Sequence, residues 1–304
     1  MFEDPTNIGQ KPKELLCEVP DWHVEPGTPL SEFGNCGFKI EVEHKDQKIT
    51  LPPEAQRLKL LLEQRANLPF FNGSFANVEE VKLDGKNIQI DTRSTDCFSY
   101  IAASYAYRDN QTDNPIRPLA VQASVFTPDG EKMILERRSE DVTEYPGALS
   151  VFGGALTQEE TDLKVAMAKR LREKWGVEIG TEDIIPTGLA RANSLNIICP
   201  FFMVQLDQDQ YQERRVWARQ TMREGSKLFY EVSIKDTFEA VKKLLLGKRD
   251  ISKWVPLGFY NILYALSARE LLTASQVNEL LSATREKTQK NPLQYKFTME
   301  QYLT

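Results

Sequence analysis

Histidine is nearly absent from this chain: His23 and His44 are the only two in 304 residues, and both lie near the N-terminus. Cysteine is scarce as well. Cys17, Cys36, Cys97 and Cys199 form no CxxC pair, which argues against a Cys/His zinc centre and for four reduced thiols. No stretch approaches the roughly 18 consecutive apolar residues that cross a bilayer. The opening MFEDPTNIGQKPKELL has no apolar core of the kind that marks a signal peptide, so a cytoplasmic protein is expected. Basic residues are not in excess either. With 38 Lys and Arg against 44 Asp and Glu, the net charge of −6 argues against general binding to nucleic acid or an anionic membrane. Ser150 lacks a GxSxG setting, and neither histidine has a visible Ser or Cys partner, so a hydrolase triad is not indicated. There is no internal repeat and no low-complexity tract.

What remains is the composition of a globular protein, 41% hydrophobic and 27% charged, long enough for one large domain or two ordinary ones. Alternation in Phe38–Val42 predicts a short strand, and EAQRLKLLLEQRANL a helix that ends before Pro69. Asp84-Gly85 joins two alternating runs as a hairpin turn. CFSYIAASYAY reads as a helix or a packed loop, and the polar RDNQTDNPIRP as a linker. The division expected is therefore an α+β extension over 1–112 and a larger domain over 113–304. In the larger part LAVQASVF, KMILER, IIPTGLARAN, NIICPFFMVQL and LFYEVSI read as strands. DTFEAVKKLLL, GFYNILYALSARELL and TASQVNELLSATREK read as helices, the last opened by a Thr/Ser cap. ERRVWARQTMREG reads as a surface patch or as a mobile loop near the site.

The most informative stretch is GGALTQEETDLKVAMAKRLREKWGV, residues 153–177. Two glycines close a strand, an acid-rich turn follows, and a helix runs to Gly176. Leu163, Met167 and Leu171 recur at four-residue steps with Trp175 on the flank, a core-facing stripe. The other faces carry Lys169, Arg170, Arg172, Glu173 and Lys174. Two readings of that charge stay open. The Lys169 and Glu173 pair, four residues apart, can be a solvated ion pair on a helix that is only scaffold. Alternatively Lys169, Arg170 and their neighbours can contact phosphate directly, the arginines as fork-shaped partners.

This layout resembles the Nudix box, whose family pattern is G-x5-E-x7-R-E-U-x-E-E-x-G-U with U apolar. Gly154 and Glu160 keep the first spacing, and the helical half carries one extra residue before Gly176-Val177. Counted back from Gly176, the family's arginine falls on Lys169, its first helical glutamate on Arg170, and its Glu-Glu pair on Glu173-Lys174. Arg137-Arg138-Ser139, Tyr145-Pro146-Gly147 and the strand Gly188–Asn193 extend the similarity over about 119–270. The long N-terminal part makes the chain most similar to the branch that includes the UDP-glucose/UDP-galactose pyrophosphatases.

The resemblance implies an α/β/α sandwich around a mixed sheet, with the extension packed on it. It implies a ligand of the type nucleoside diphosphate linked to another group. In the family, acidic side chains on one helix face and a carbonyl near the glycines hold Mg²⁺ or Mn²⁺, which activates a water. Transferred to this sequence, Glu160 and Glu173 become the catalytic and metal-holding carboxylates, with Gly154 as a backbone ligand. Arg137, Lys169, Arg170, Arg191 and Asn193 become candidates for gripping phosphate or sugar. Because cations stand at positions 170 and 174, three functions follow: a divergent hydrolase, a nucleotide-binding protein that does not cleave, or an interaction protein. The last would use the extension and the C-terminal helix to dock a protein partner or a second copy.

Overall fold

In the computed structural model the described residues are 17–19, 39–65, 72–84, 87–107, 113–138, 147–192, 196–223, 229–246 and 254–290. Eight strands form the central mixed sheet. They are β1 (Cys17–Val19), β5 (Ala120–Phe126), β6 (Lys132–Arg137), β7 (Leu149–Ser150), β8 (Phe152–Ala155), β9 (Ile185–Ala192), β10 (Ile197–Gln205) and β11 (Phe229–Ser233). The order is β1-β9-β10-β5-β6-β11, with β7 paired to β6 and β8 to β5. The β1–β9 and β10–β5 pairs are parallel and the others antiparallel.

Alternation along β5 decides the layers. Val121, Ala123 and Val125 point to one face, where they meet Leu163, Met167, Leu171 and Trp175 of α3 (Leu163–Trp175). Ala120 and Phe126 point to the other face, which is covered by α6 (Pro256–Ala268) and α7 (Ala274–Lys290). The architecture is therefore the expected α/β/α sandwich. The stripe on α3 is buried throughout, and each such large apolar side chain stabilises by roughly 1.5–3 kcal/mol. Asp162 caps α3, accepting from the amides of Lys164 and Val165, and Gly176 ends it at φ +69.

The N-terminal part forms a second sheet of β2 (Lys39–Lys48), β4 (Asn87–Asp96) and β3 (Ser74–Asp84). Its Val78, Val81, Ile88 and Ile90 enter the same core as α3. Backbone bonds tie β3 to the larger sheet: Ala76 N–H donates to the Leu156 carbonyl and Leu119 N–H to the Ala76 carbonyl, both at 2.8 Å. The helices α1 (Pro53–Glu63) and α2 (Cys97–Ala106) share a smaller core with Ile116. The described residues also form α4 (Gln208–Arg223) and α5 (Thr237–Leu246).

Two expectations need correcting. The second half of RDNQTDNPIRP is no free linker: Asn114 and Ile116 are buried. Asn196 donates to both of their carbonyls, at 2.7 and 3.1 Å, so the segment's backbone polar groups are satisfied inside the protein. ERRVWARQTMREG is not a loop, since most of it lies in α4. Arg214 of that helix is buried over the Trp175 ring and paired with Glu231 at 2.9 Å. Arg214 and Tyr211, which also bonds Glu231 and packs on the same core, hold α4 against the sheet.

Candidate functional site

The site begins where β8 runs into the turn before α3. Gly153 pairs with Gln122 in register, and a Cβ there would collide with the Val121 carbonyl, so this strand position accepts no side chain. Gly154 is crowded differently: a Cβ would stand 3.3 Å from Nε of Arg170, because the arginine lies across that glycine.

Glu160 is held on both oxygens. Oε1 accepts from Lys169 Nζ at 2.8 Å, while Oε2 accepts from Arg170 Nη2 at 2.7 Å and from the Thr157 amide at 2.9 Å. Arg170 Nη2 also donates to the Ala155 carbonyl at 2.8 Å, and its Nη1 lies 3.4 Å from Glu173 Oε2. Lys174 completes the group by reaching across to Glu136 on β6, at 2.8 and 3.1 Å from the two carboxylate oxygens. Glu160 and Arg170 are nearly buried, with side chains 10% and 13% exposed, whereas Lys169 and Glu173 face solvent at 42% and 50%. Burial alone would raise the Glu160 carboxyl; Lys169, the Thr157 amide and Arg170 together hold it below its ordinary value.

The cluster therefore contains Glu136, Glu160 and Glu173 against Lys169, Arg170 and Lys174, and sums to zero. A divalent cation needs uncommitted anionic oxygens. Here the Glu160 carboxylate and the Ala155 carbonyl, one residue beyond the expected Gly154, are both occupied by the Arg170 guanidinium. The donor set does not fit Mg²⁺ or Mn²⁺, and among the described residues no group of three or more acidic, His or Cys side chains could hold a metal ion.

Of the residues singled out from the sequence, Gly154, Glu160, Lys169, Arg170 and Glu173 come together. Arg137 does not join them; its Nε donates to the Gly147 carbonyl at 3.0 Å. Arg191 is turned to Asn196, donating from Nε and Nη2 at 3.1 and 2.7 Å, and braces the turn before β10. Asn193 lies outside the described residues. Arg172 pairs with Glu178 at 3.4 Å on the surface, away from the cluster.

Beside the cluster is a cavity of about 220 Å³ between the main sheet and the N-terminal part. Gly153, Gly154 and Ala155 line it, with Tyr100 of α2 opposite. Its polar side chains include Gln122, Glu136, Arg138 and Ser150. Glu136 and Gln122 were not singled out from the sequence. The available signal was a polar residue within an apolar strand, in KMILER and LAVQASVF.

No family model matches the sequence, and no curated protein matches it. Solved structures do. The chain is similar to a mutT/nudix family protein from Listeria innocua, 16% identical, over 51% of this chain and 98% of that one, with a TM-score of 0.35. It is similar to the NUDIX domain of Shewanella oneidensis NrtR, solved with ADP ribose, at 17% identity over 56% and 98% of the two chains, TM-score 0.34. A Deinococcus radiodurans protein is 19% identical over 44% and 73%, TM-score 0.29. The likenesses are partial, and the sandwich rests on the strand order and packing described above.

Proposed function

We propose that this chain is a metal-independent binding protein for a nucleoside-diphosphate-linked ligand, on a Nudix-like frame, and not a hydrolase. One observation carries the reading. The Arg170 guanidinium lies across Gly154 and bridges Glu160, a carboxylate the resemblance would give to magnesium, and the Ala155 carbonyl, next to the Gly154 backbone it would also give. A divalent ion placed 4 Å from that guanidinium would meet repulsion on the order of 8 kcal/mol at an intermediate dielectric, twice that of a unit-charge pair. With both Glu160 oxygens engaged, no carboxylate of the cluster's buried half is left to orient a water. The cations remain useful for binding. Arg138 lines the cavity, and Lys169, half exposed beside its Glu160 partner, belongs to the neighbouring cluster; these are the two cations we assign to the diphosphate. The ligand class itself follows from the resemblance of the sequence.

The test is titration of the full chain with ADP ribose and UDP-glucose in the presence of a chelator, alongside assay of nucleotide release with Mg²⁺ or Mn²⁺. Binding that survives chelation, with no release, is expected. Metal-dependent turnover abolished by Glu173→Gln would overturn the reading in favour of a hydrolase. Binding of neither ligand would overturn it altogether.

A further inference from the structure

Gln122 lines the cavity with its hydrogen bonding incomplete. It is 8% exposed, and its Oε1 is buried without a partner. Nothing nearby relieves it. Its own backbone carbonyl is taken by Asn261 Nδ2 at 2.9 Å, and the neighbouring Ser124 hydroxyl donates to Asn261 Oδ1 at 2.6 Å, so the adjoining polar groups satisfy one another. Gly153 leaves the space that the Gln122 side chain occupies, since a Cβ there would come within 2.7 Å of its Cγ. A buried acceptor left unpaired is unfavourable in the free protein, and a site built to hydrogen-bond a ligand has this property before the ligand arrives.

We infer that Gln122 reads the hydrogen-bonding edge of a nucleobase, the ring-shaped end of the ligand whose diphosphate the preceding reading assigns to Arg138 and Lys169. The inference rests on that reading. Three features select a base over a sugar. About 220 Å³ is below the roughly 300–1,000 Å³ of pockets that enclose whole drug-sized ligands, so one ring-sized end enters. Most of the wall is apolar or aromatic, including Tyr100, Phe75, Ile101 and Leu257, which suits a flat π-face. A sugar would set several hydroxyls against a mostly apolar wall, whereas a base needs only its edge satisfied. A carboxamide offers an acceptor and a donor side by side, the pattern with which glutamine meets a base edge. Interchange of the amide's two ends leaves that complementarity intact.

The experiment compares wild type with Gln122→Met, which keeps shape and removes polarity, using UDP-glucose, AMP, UMP and ribose 5-phosphate as probes. For wild type, at least one of the two nucleoside monophosphates should bind and ribose 5-phosphate should not. The variant should bind that nucleotide at least about tenfold more weakly, while its ligand-free melting temperature holds or rises by about 2–4 °C. A fall in the melting temperature of the free variant would make Gln122 a structural residue and overturn the inference. So would undiminished nucleotide affinity in the variant, or ribose 5-phosphate binding as well as the nucleotides. Wild type that binds UDP-glucose while the variant does so equally well defeats only the assignment of Gln122. Wild type that binds none of the probes defeats the ligand class on which the assignment rests.

Discussion

Nη2 of Arg170 stands 2.7 Å from Oε2 of Glu160 and donates at the same time to the Ala155 carbonyl, 2.8 Å away. A single side chain thus closes the turn between β8 and α3 that would otherwise leave a carboxylate and a carbonyl facing each other. Both side chains are nearly buried, so removing Arg170 costs Glu160 its guanidinium partner and leaves it only Lys169 and the Thr157 amide, while the Ala155 carbonyl loses its donor. Arg170→Met should destabilise the fold by about 2–3 kcal/mol, read from urea unfolding. Glu160→Gln combined with Arg170→Met should recover part of that loss. A double variant no better than the sum of the two singles would show that the pair is uncoupled.

The same geometry predicts how to convert the site. Arg170→Glu with Lys174→Glu changes the cluster by −2 at each position, from zero to −4. Without metal the new carboxylates would repel Glu160 and Glu136 and lower stability. Millimolar Mn²⁺ or Mg²⁺ should then raise the melting temperature of the double variant while leaving wild type unmoved, since only the variant has oxygens to offer. A metal-induced rise of equal size in wild type would remove the argument that its donor set excludes a divalent ion.

Much of this was legible in the residues. The four-residue stripe Leu163, Met167, Leu171 and Trp175 required one buried helix face, and period-two alternation in LAVQASVF read as a strand; that its polar face is buried as well was not in the pattern. β3 and β4 pair antiparallel up to Asp84 and Asn87, while Gly85 of the expected turn lies outside the described residues; Thr273 opens α7 with the reciprocal bonds to Gln276 that a Thr cap suggests. The pairing of charges was not legible. Sequence spacing places Lys169 and Glu173 on one helix face, and they do approach at 4.0 Å. It cannot show that Lys169 makes its shorter contact to Glu160 across the turn, or that Lys174 crosses to a strand 38 residues earlier. Both depend on where β6 and the turn settle against α3, a tertiary outcome. The buried setting of Asn114 and Ile116 escaped for the same reason: local polarity suggested a linker, and a distant asparagine satisfied its carbonyls.

Asn261 links α6 to the main sheet. It donates to the Gln122 carbonyl and accepts from Ser124, fastening α6 to the middle of β5 from within the core. Asn261→Ala would leave a buried hydroxyl and a buried carbonyl unpaired, at a cost of about 1–3 kcal/mol each. A loss of stability above 2 kcal/mol is expected from chemical denaturation, a figure on the order of that penalty. Ser124→Ala should be milder, because the Asn261 amide keeps its bond to Gln122. An order reversed between the two would mean that the hydroxyl, not the amide, anchors the helix.

Acid sensitivity should originate partly in the N-terminal sheet. Asp91 is held at a carboxyl pKa of about 2 by its hydrogen bond from Lys82, against the opposing effect of burial, with further help from Lys45 and Gln89. The lysine nitrogens stand 2.6 and 3.0 Å from Oδ2, and Lys82 is raised in return. A carboxylate whose folded value lies below its ordinary one contributes stability that is complete above that ordinary value, near 3.8, and fades as pH falls toward 2. Because both lysines reach solvent, the contribution is roughly 1–2 kcal/mol and not the full unscreened shift. Unfolding midpoints of wild type should therefore drop between pH 4 and pH 2, a window bounded by those two values. Asp91→Asn should be less stable at neutral pH and should lose part of that slope, the remainder belonging to groups such as Glu160 that are also held low. High salt should shrink the difference between the two proteins by screening the exposed lysines. Parallel pH profiles for wild type and Asp91→Asn would mean that the lysine pair stabilises the sheet no more than the neutral amide does.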